Sequence, residues 1–530
     1  MPVGDLLQAC LAELDASDGM RELWNAAKAR DTALLGTLGV PSAMIVAMLD
    51  DALTDRRRHI QLFEVLIGQA RLDVRRRGRL GQRFLKNAAT DIEAMIIGGV
   101  LDHDTADDLT LAYARARVRP PEGLVALIVP QVTALADSGR YTGQLDAEVD
   151  RLRRLFKGDI YTVHMALDDR FHILPSEARA AVVRSIAARE EDYCGRLALY
   201  WLLDASAEVR LAAASSLHER LKRGIVDAAF EALMPTVATW IPGDEARRIL
   251  DAAARDLRQR GPFAPLQRPA RRPSRVLALL PEDDSGQGFV AVLESGDDLT
   301  LAVFINEVGR GVEDAFLLEG EKARAFVSER EVDDNTLHLS WEAFEPVLAF
   351  AIAEGLAAGR PPPSGLIDVA LACDLGELCP GPMAAREWLT LVNAASDLSG
   401  LPARDREHLV ERSGSWPEDH ALVETWAEGT SLIEHALNDV SGPPGEAAPT
   451  FWARLEERRE HWAVRMLLSA HLLKGAGHED WRSFAATASA LLEGRALGTI
   501  PIMRHVFHAT LDAWRAEEEH LRPHDRPASC

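Results

Sequence analysis

No run of eighteen apolar residues occurs anywhere in the 530-residue chain, and even AFEPVLAFAIAEGLAAG is cut by Glu345 and Glu354. No membrane span is therefore expected. Cysteine is scarce. Cys10, Cys194, Cys373, Cys379 and Cys530 are odd in number and scattered, which argues against a disulfide framework and for a reducing compartment, the cytoplasm. Cys373 and Cys379 have neither zinc spacing nor a second pair. The opening MPVGDLLQACLAELD lacks a basic stretch and carries acids early, so no secretory leader is expected. Lysine is nearly absent, with six among the 59 basic residues. Together with abundant alanine, that usage suits a GC-rich bacterial genome. There is no P-loop, no G-x-G-x-x-G, no G-x-S-x-G and no H-E-x-x-H, which removes the familiar phosphate, dinucleotide, serine-hydrolase and zincin signatures.

What is present is an uneven division of charge. From Met1 to Leu280 there are 39 basic and 38 acidic residues, and from Pro281 onward 20 and 44, so the net charge of −23 belongs to the second half. That field disfavours nucleic acid or an anionic membrane there. It favours a basic partner or a solvated acidic surface.

The most consistent stretch is LALYWLLDASAEVRLAAASSLHERL, Leu197 to Leu221. Leu199, Leu202 and Leu203 share one helical face. Asp204, Ser206 and Glu208 supply caps, and Val209, Ala213, Leu217 and Leu221 form the stripe of a second helix. A shift of 31 places superposes Ala178, Arg179, Val182 and Ile186 on Val209, Arg210, Ala213 and Leu217. Ala246, Arg247 and Leu250 take the same roles 37 residues downstream. The pattern D-x-x-x-x-V-R-x-x-A-x-x-x-L resembles the turn and second helix of a HEAT-type α-solenoid repeat. The resemblance implies stacked hairpins with a long surface for a protein partner, and it makes Arg179, Arg210 and Arg247 equivalent. These three are the candidate partner-contacting residues; the same spacing also suits pairing between neighbouring repeats.

The rest of the chain gives a mostly α reading around a small β insert. Residues 1–160 read as packed helices, with Pro41 at one helix start and a stripe of Leu145, Val149, Leu152 and Phe156 ending at Gly158. Residues 161–258 carry the HEAT-like repeats, and 259–274 are a basic, Pro-rich linker. At Arg275 the period switches from 3.6 to 2. VLALL, GFVAVLE, LTLAVFIN and AFLLEG read as four strands of an antiparallel meander within 275–333. Residues 334–519 return to helix, acidic and rich in tryptophan, with helices expected over 384–398, 420–438, 451–473, 481–492 and 501–519. Residues 520–530 should be disordered. Eight of the eleven tryptophans lie in this half, either as core or as a partner interface.

Chemistry is sparse. On a helix begun by Pro501, His505, His508 and Asp512 occupy i, i+3 and i+7, one face that could hold a metal with help from His520 or His524. Glu282, Asp283 and Asp284 lack the order of a calcium loop, and the VGRG turn lacks the residues of a phosphate loop. Gly414-Ser415-Trp416 followed by Asp419-His420 is too local for a catalytic triad. No cofactor is expected, and the oligomeric state stays open. The leading function is a non-enzymatic scaffold or adaptor for a protein partner. One alternative is nucleic-acid binding through Arg56 to Arg58, Arg75 to Arg77 with Arg79 and Arg83, and Arg151, Arg153 and Arg154. The other is a metal-dependent enzyme built on the His505 helix.

Overall fold

The computed structural model describes residues 56–521 except 76–78, 102, 117, 128–140, 172–173, 226–227, 261–270, 280–285, 296–297, 331–335, 374, 376–377, 394–397, 399 and 430–447. The helix start at Pro41, part of the second arginine run, most of the basic linker, Glu282 to Asp284 and the extreme tail lie outside the described residues. Helix dominates, and a five-stranded antiparallel sheet is inserted mid-chain.

Helices α1 (Arg56–Arg75), α2 (Arg79–Ile97) and α3 (His103–Arg115) close around their own cluster, which includes Phe63, Leu66, Phe84, Ile92, Leu109 and Tyr113. The next helix, α4 (Tyr141–Leu155), carries the expected Leu145, Val149 and Leu152 stripe, and the chain turns at Gly158 with φ +85°. Those three leucine and valine side chains join the larger core that runs on through Val506. Within the expected 1–160 segment, the described residues thus divide between two clusters.

Three hairpins follow. They are α5 (Ile160–Phe171) with α6 (Ser176–Ala187), α7 (Asp192–Trp201) with α8 (Ala207–Lys222), and α9 (Ala228–Thr239) with α10 (Glu245–Arg260). Helix α8 starts because the Ser206 hydroxyl accepts the Val209 N–H at 3.5 Å, and it places Glu208 in its first turn and Arg220 and Lys222 in its last. Both ends thus complement the helix dipole. The second helices pack side by side, α6 on α8 and α8 on α10, while α7 packs between α5 and α9. The small side chains of Ala212, Ala213 and Ala214, all buried, permit that close approach.

The sheet comprises β1 (Arg275–Leu279), β2 (Gln287–Ser295), β3 (Asp298–Glu307), β4 (Gly311–Glu319) and β5 (Thr336–Leu339), in the order β4-β3-β2-β1-β5. The first four are the expected meander. The fifth corrects the expected boundary at 333: after α11 (Glu321–Arg330) the chain returns to pair Val276 with Leu339 and Leu277 with His338. A four-residue strand beyond a ten-residue helix has too little periodicity to announce itself. Alternation then works on both faces. Val276, Ala278, Phe289, Ala291 and Phe304 belong to the main core, with the ring of Phe344 of α12 (Trp341–Ala357) tilted against Phe289 and Phe304. Leu277, Val290, Val292, Leu301 and Val303 pack instead under Ala323 and Val327 of α11.

The C-terminal helices are α13 (Leu366–Cys373), α14 (Ala385–Asn393), α15 (Ala403–Glu411), the short α16 (Trp416–Asp419) and α17 (Ala421–Glu424), α18 (Ala448–Glu456), α19 (Arg459–Gly475), α20 (Trp481–Leu492) and α21 (Pro501–Leu521). Of the helix expected over 420–438, residues 421–424 are helical and 425–429 are not, while 430–438 lie outside the described residues; α15 was not expected, and α21 continues past the expected end at 519. Six of the eight C-terminal tryptophans are buried, so they serve mainly as core. The two charge-distinct halves share that core. Tyr200 donates to Asp368 Oδ1 at 2.7 Å, Trp240 Nε1 donates to the Leu378 carbonyl at 3.2 Å, and the Arg271 N–H reaches the Ala372 carbonyl at 2.9 Å. Among the described residues, no helix is long and apolar enough to cross a membrane.

Candidate functional site

A cavity of about 430 Å³ opens where the sheet meets the C-terminal helices. One wall is β2 and β3 with the 308–310 turn, a second is α12 through Val347, Phe350 and Ala351, and a third is α19 through His461, Arg465, Leu468, Ser469 and Leu472. The extended segment from Thr425 to Gly429 closes it. Asn306 sits at a register shift of β3 against β4, where a bulge re-aims side chains. That is how a polar residue in an apolar strand comes to face the cavity.

The site's electrostatics follow from its lining. Arg310, Arg360, Arg458 and Arg465 stand against Glu307 and Glu428, four positive charges to two negative. Glu428 is 6% exposed; its Oε1 accepts from Arg458 Nε at 2.5 Å and from Trp462 Nε1 at 2.8 Å, and its N–H donates to Thr510 Oγ1 at 2.8 Å. These bonds pin the irregular segment in place. Arg465 stacks 5.1 Å over Trp426 and 5.2 Å over Trp462, and Arg310 is held by Glu307 at 3.2 Å and Glu313 at 3.0 Å.

Buried polar atoms without partners gather at this wall. Asn306 is only 8% exposed, yet neither its amide oxygen nor its nitrogen has a hydrogen-bond partner among the described residues. Gln287 Nε2, Thr425 Oγ1 and Arg360 Nε are in the same condition, and all four residues line the cavity. Each such atom costs about 1–3 kcal/mol when left dry. A concentration of them in one place marks a surface completed by something else.

Behind the 308–310 turn, Glu354 of α12 has its carboxyl pushed up to about 7, chiefly by burial; the Gly309 backbone and Arg360 oppose that shift, and Glu307 adds to it. The ordinary value is 4.5. The folded chain therefore holds an extra proton between those two values, so the stabilisation present below pH 4.5 is lost as pH rises through about 7. Glu354→Gln removes that loss. The variant should be more stable than the parent by about 2 kcal/mol at pH 8 and nearly equal at pH 5, measured by urea unfolding at both. An equal gain at both pH values would show that the carboxyl does not titrate in this range.

The chain is 26% identical over 487 residues to the "Uncharacterized protein y4lR" of Sinorhizobium fredii (strain NBRC 101917 / NGR234), covering 90% of this chain and 92% of that one. Residues 175–261 match the Y4lR second domain, and residues 386–515 match the Y4lR C-terminal helical domain. No solved structure matches. The first segment spans the hairpin helices from α6 to α10. The second holds the α19 and Thr425–Gly429 walls of the cavity, while the sheet wall lies outside both matched segments.

The residues singled out from sequence lie elsewhere. Arg179 pairs with Asp168 at 3.3 Å and with Asp204 in the next hairpin's turn. Arg210 is 4% exposed, grips Asp244 of the following turn at 2.6 Å, and donates to the Asp204 and Ala205 carbonyls, each at 2.8 Å. Arg247, in the last hairpin, pairs only within its own helix, with Asp251 at 3.2 Å. Arg179 and Arg210 thus tie one turn to the next, as rungs, while Arg247 does not, and both side chains are turned largely inward, 12% and 5% exposed. Among the described residues the His505 set does not draw together as a ligand group, and the side chains of His520 and His524, expected to help, lie outside them. His505 is half-buried, His508 and Asp512 are exposed, and Asp512 pairs with Arg515 at 3.1 Å. Two helical turns separate His505 from Asp512, about 10 Å along the axis. Of the N-terminal arginines, Arg151 pairs with Glu148 at 2.7 Å and Arg153 lies 4.6 Å over Tyr193.

Proposed function

We propose that this protein is a binding scaffold that holds the carboxylate end of a peptide segment from a protein partner in the cavity between sheet and C-terminal helices. The observation that carries this reading is Asn306: a buried amide with donor and acceptor both unpartnered has the hydrogen-bonding pattern of a peptide group and is satisfied by one. The arginine excess around it suits a carboxylate. Phe289 and Phe350 add apolar wall for a side chain. The stacked hairpins, read as a HEAT-like frame, carry this site without contributing Arg179 or Arg210 to the contact.

The test uses the full chain and a random heptapeptide library, each peptide made with a free C-terminal carboxylate and again as the amide. Binding is read by fluorescence anisotropy. The reading expects a subset of free-carboxylate peptides to bind and to lose at least about tenfold on amidation, the effect of one charge-assisted contact. Asn306→Leu should abolish that binding while raising the stability of the unliganded chain by about 1–3 kcal/mol, since two dry polar atoms are replaced by apolar surface. A library without binders, or a leucine variant that binds as the parent does, would overturn it.

A further inference from the structure

A second site stands away from the cavity, where α15 to α17 meet the start of α20. Among the described residues, one group of three potential ligands converges: His420, His478 and Asp480, with ligand atoms all within 4.8 Å of one another. His420 Nε2 lies 3.1 Å from Asp480 Oδ2, and His478 Nδ1 lies 3.8 Å from the same oxygen. A tetrahedral zinc ion with bonds of about 2.0–2.2 Å holds its ligands about 3.3–3.6 Å apart. The two separations lie on either side of that range, and His478 Nδ1, which here accepts the Asp480 N–H at 3.3 Å, would exchange that bond for the ion.

The surroundings hold these groups in position. Asp480 precedes α20 at the position where an aspartate normally caps its own helix, yet its side chain makes no capping bond. It faces the histidines instead, with its other oxygen on Arg412. His420 is 9% exposed, and its ring stands edge-on to Phe484 at 5.4 Å. Phe484 is stacked 3.7 Å from Trp416, whose indole nitrogen donates to Ser483 at 3.2 Å. The two segments that supply ligands are thereby locked together. His478, 47% exposed, leaves one side of the group open to solvent.

We propose that His420, His478 and Asp480 form a zinc(II) site with one open coordination position, and that Arg412 is the outer partner of its carboxylate. Two imidazoles and one carboxylate are a donor set that zinc prefers over calcium or magnesium, and a ligating carboxylate is ordinarily hydrogen-bonded from behind. The ion would tie the 412–420 segment to the start of α20. This site is independent of the peptide reading and uses none of its residues.

The full chain, stripped with chelator, is titrated with zinc chloride against a chromophoric indicator, and its melting temperature is followed in parallel. One equivalent should bind and raise the melting temperature, as any ligand of the folded state does. His478→Ala, on the surface, should melt like the parent without zinc, bind zinc at least about tenfold more weakly and lose the zinc-dependent rise. Arg412→Ala should bind zinc at least about tenfold more weakly, because the outer partner that orients the carboxylate is lost. A purely structural histidine–aspartate pair predicts no zinc-dependent difference between either variant and the parent. Failure to bind one equivalent, or unchanged zinc affinity in either variant, would overturn the proposal.

Discussion

Arg210→Ala should lower the unfolding free energy by about 3 kcal/mol, because it strips one partner from a buried charged network. The side chain of Arg210 is 5% exposed and that of Asp244 26%. Removal leaves Asp244 half-enclosed without its cation, and the carbonyls of Asp204 and Ala205 lose the donors that complete the α7–α8 turn. Urea unfolding would show the midpoint falling with little change in slope. Arg247→Ala is the control. Arg247 makes the equivalent sequence position but pairs only with Asp251, along a helix surface, so its loss should cost no more than about 0.5 kcal/mol. Equal effects at the two positions would refute the view that the rungs join neighbouring hairpins.

Gly311→Ala should destabilise by about 2–5 kcal/mol, the sum of a left-handed backbone and a blocked contact. Gly311 has φ +96°, and a methyl placed there would lie 2.5 Å from the Ala351 carbonyl oxygen and 2.8 Å from the Gly355 nitrogen. Both obstacles are backbone of α12, which cannot swing aside. The start of β4 would have to move off the helix, carrying the 308–310 turn and the mouth of the cavity with it. Gly309 separates the two causes. It has φ +85° in the same turn, but its nearest neighbour is the His461 ring at 3.6 Å. Gly309→Ala should therefore cost about 1–2 kcal/mol and leave the sheet–helix packing intact. Thermal and urea unfolding of both variants would check the ranking, and the reverse order would show that backbone conformation outweighs the contact.

Local pattern made much of the fold legible. The short apolar runs VLALL, GFVAVLE and LTLAVFIN, rich in β-branched and aromatic residues and bounded by turn residues, read as strands, and both of their faces are buried. The 3.6 period of Val209, Ala213, Leu217 and Leu221 required a helix with one buried stripe. Abundant buried tryptophan was foreseeable as core. These features depend on neighbours within a few residues, so sequence alone determined them.

Everything that depends on distant segments meeting was decided by tertiary structure. Spacing singled out Arg179, Arg210 and Arg247; packing decided that Arg210 faces Asp244, 34 residues away, in an internal joint. His505, His508 and Asp512 do share a helix face, but neighbours along one helix are spread over two turns and cannot close on an ion unaided. The group that does converge, His420, His478 and Asp480, comes from two segments about 60 residues apart in sequence, brought together by the stack of Trp416 on Phe484. Asn306 carries no signal in its strand: LTLAVFIN reads as an ordinary apolar run with a polar end. The bulge, α12 and helices more than a hundred residues later in the chain bury its amide without a partner among the described residues, because burial and hydrogen-bond satisfaction are properties of the assembled space around a side chain and not of its place in the sequence.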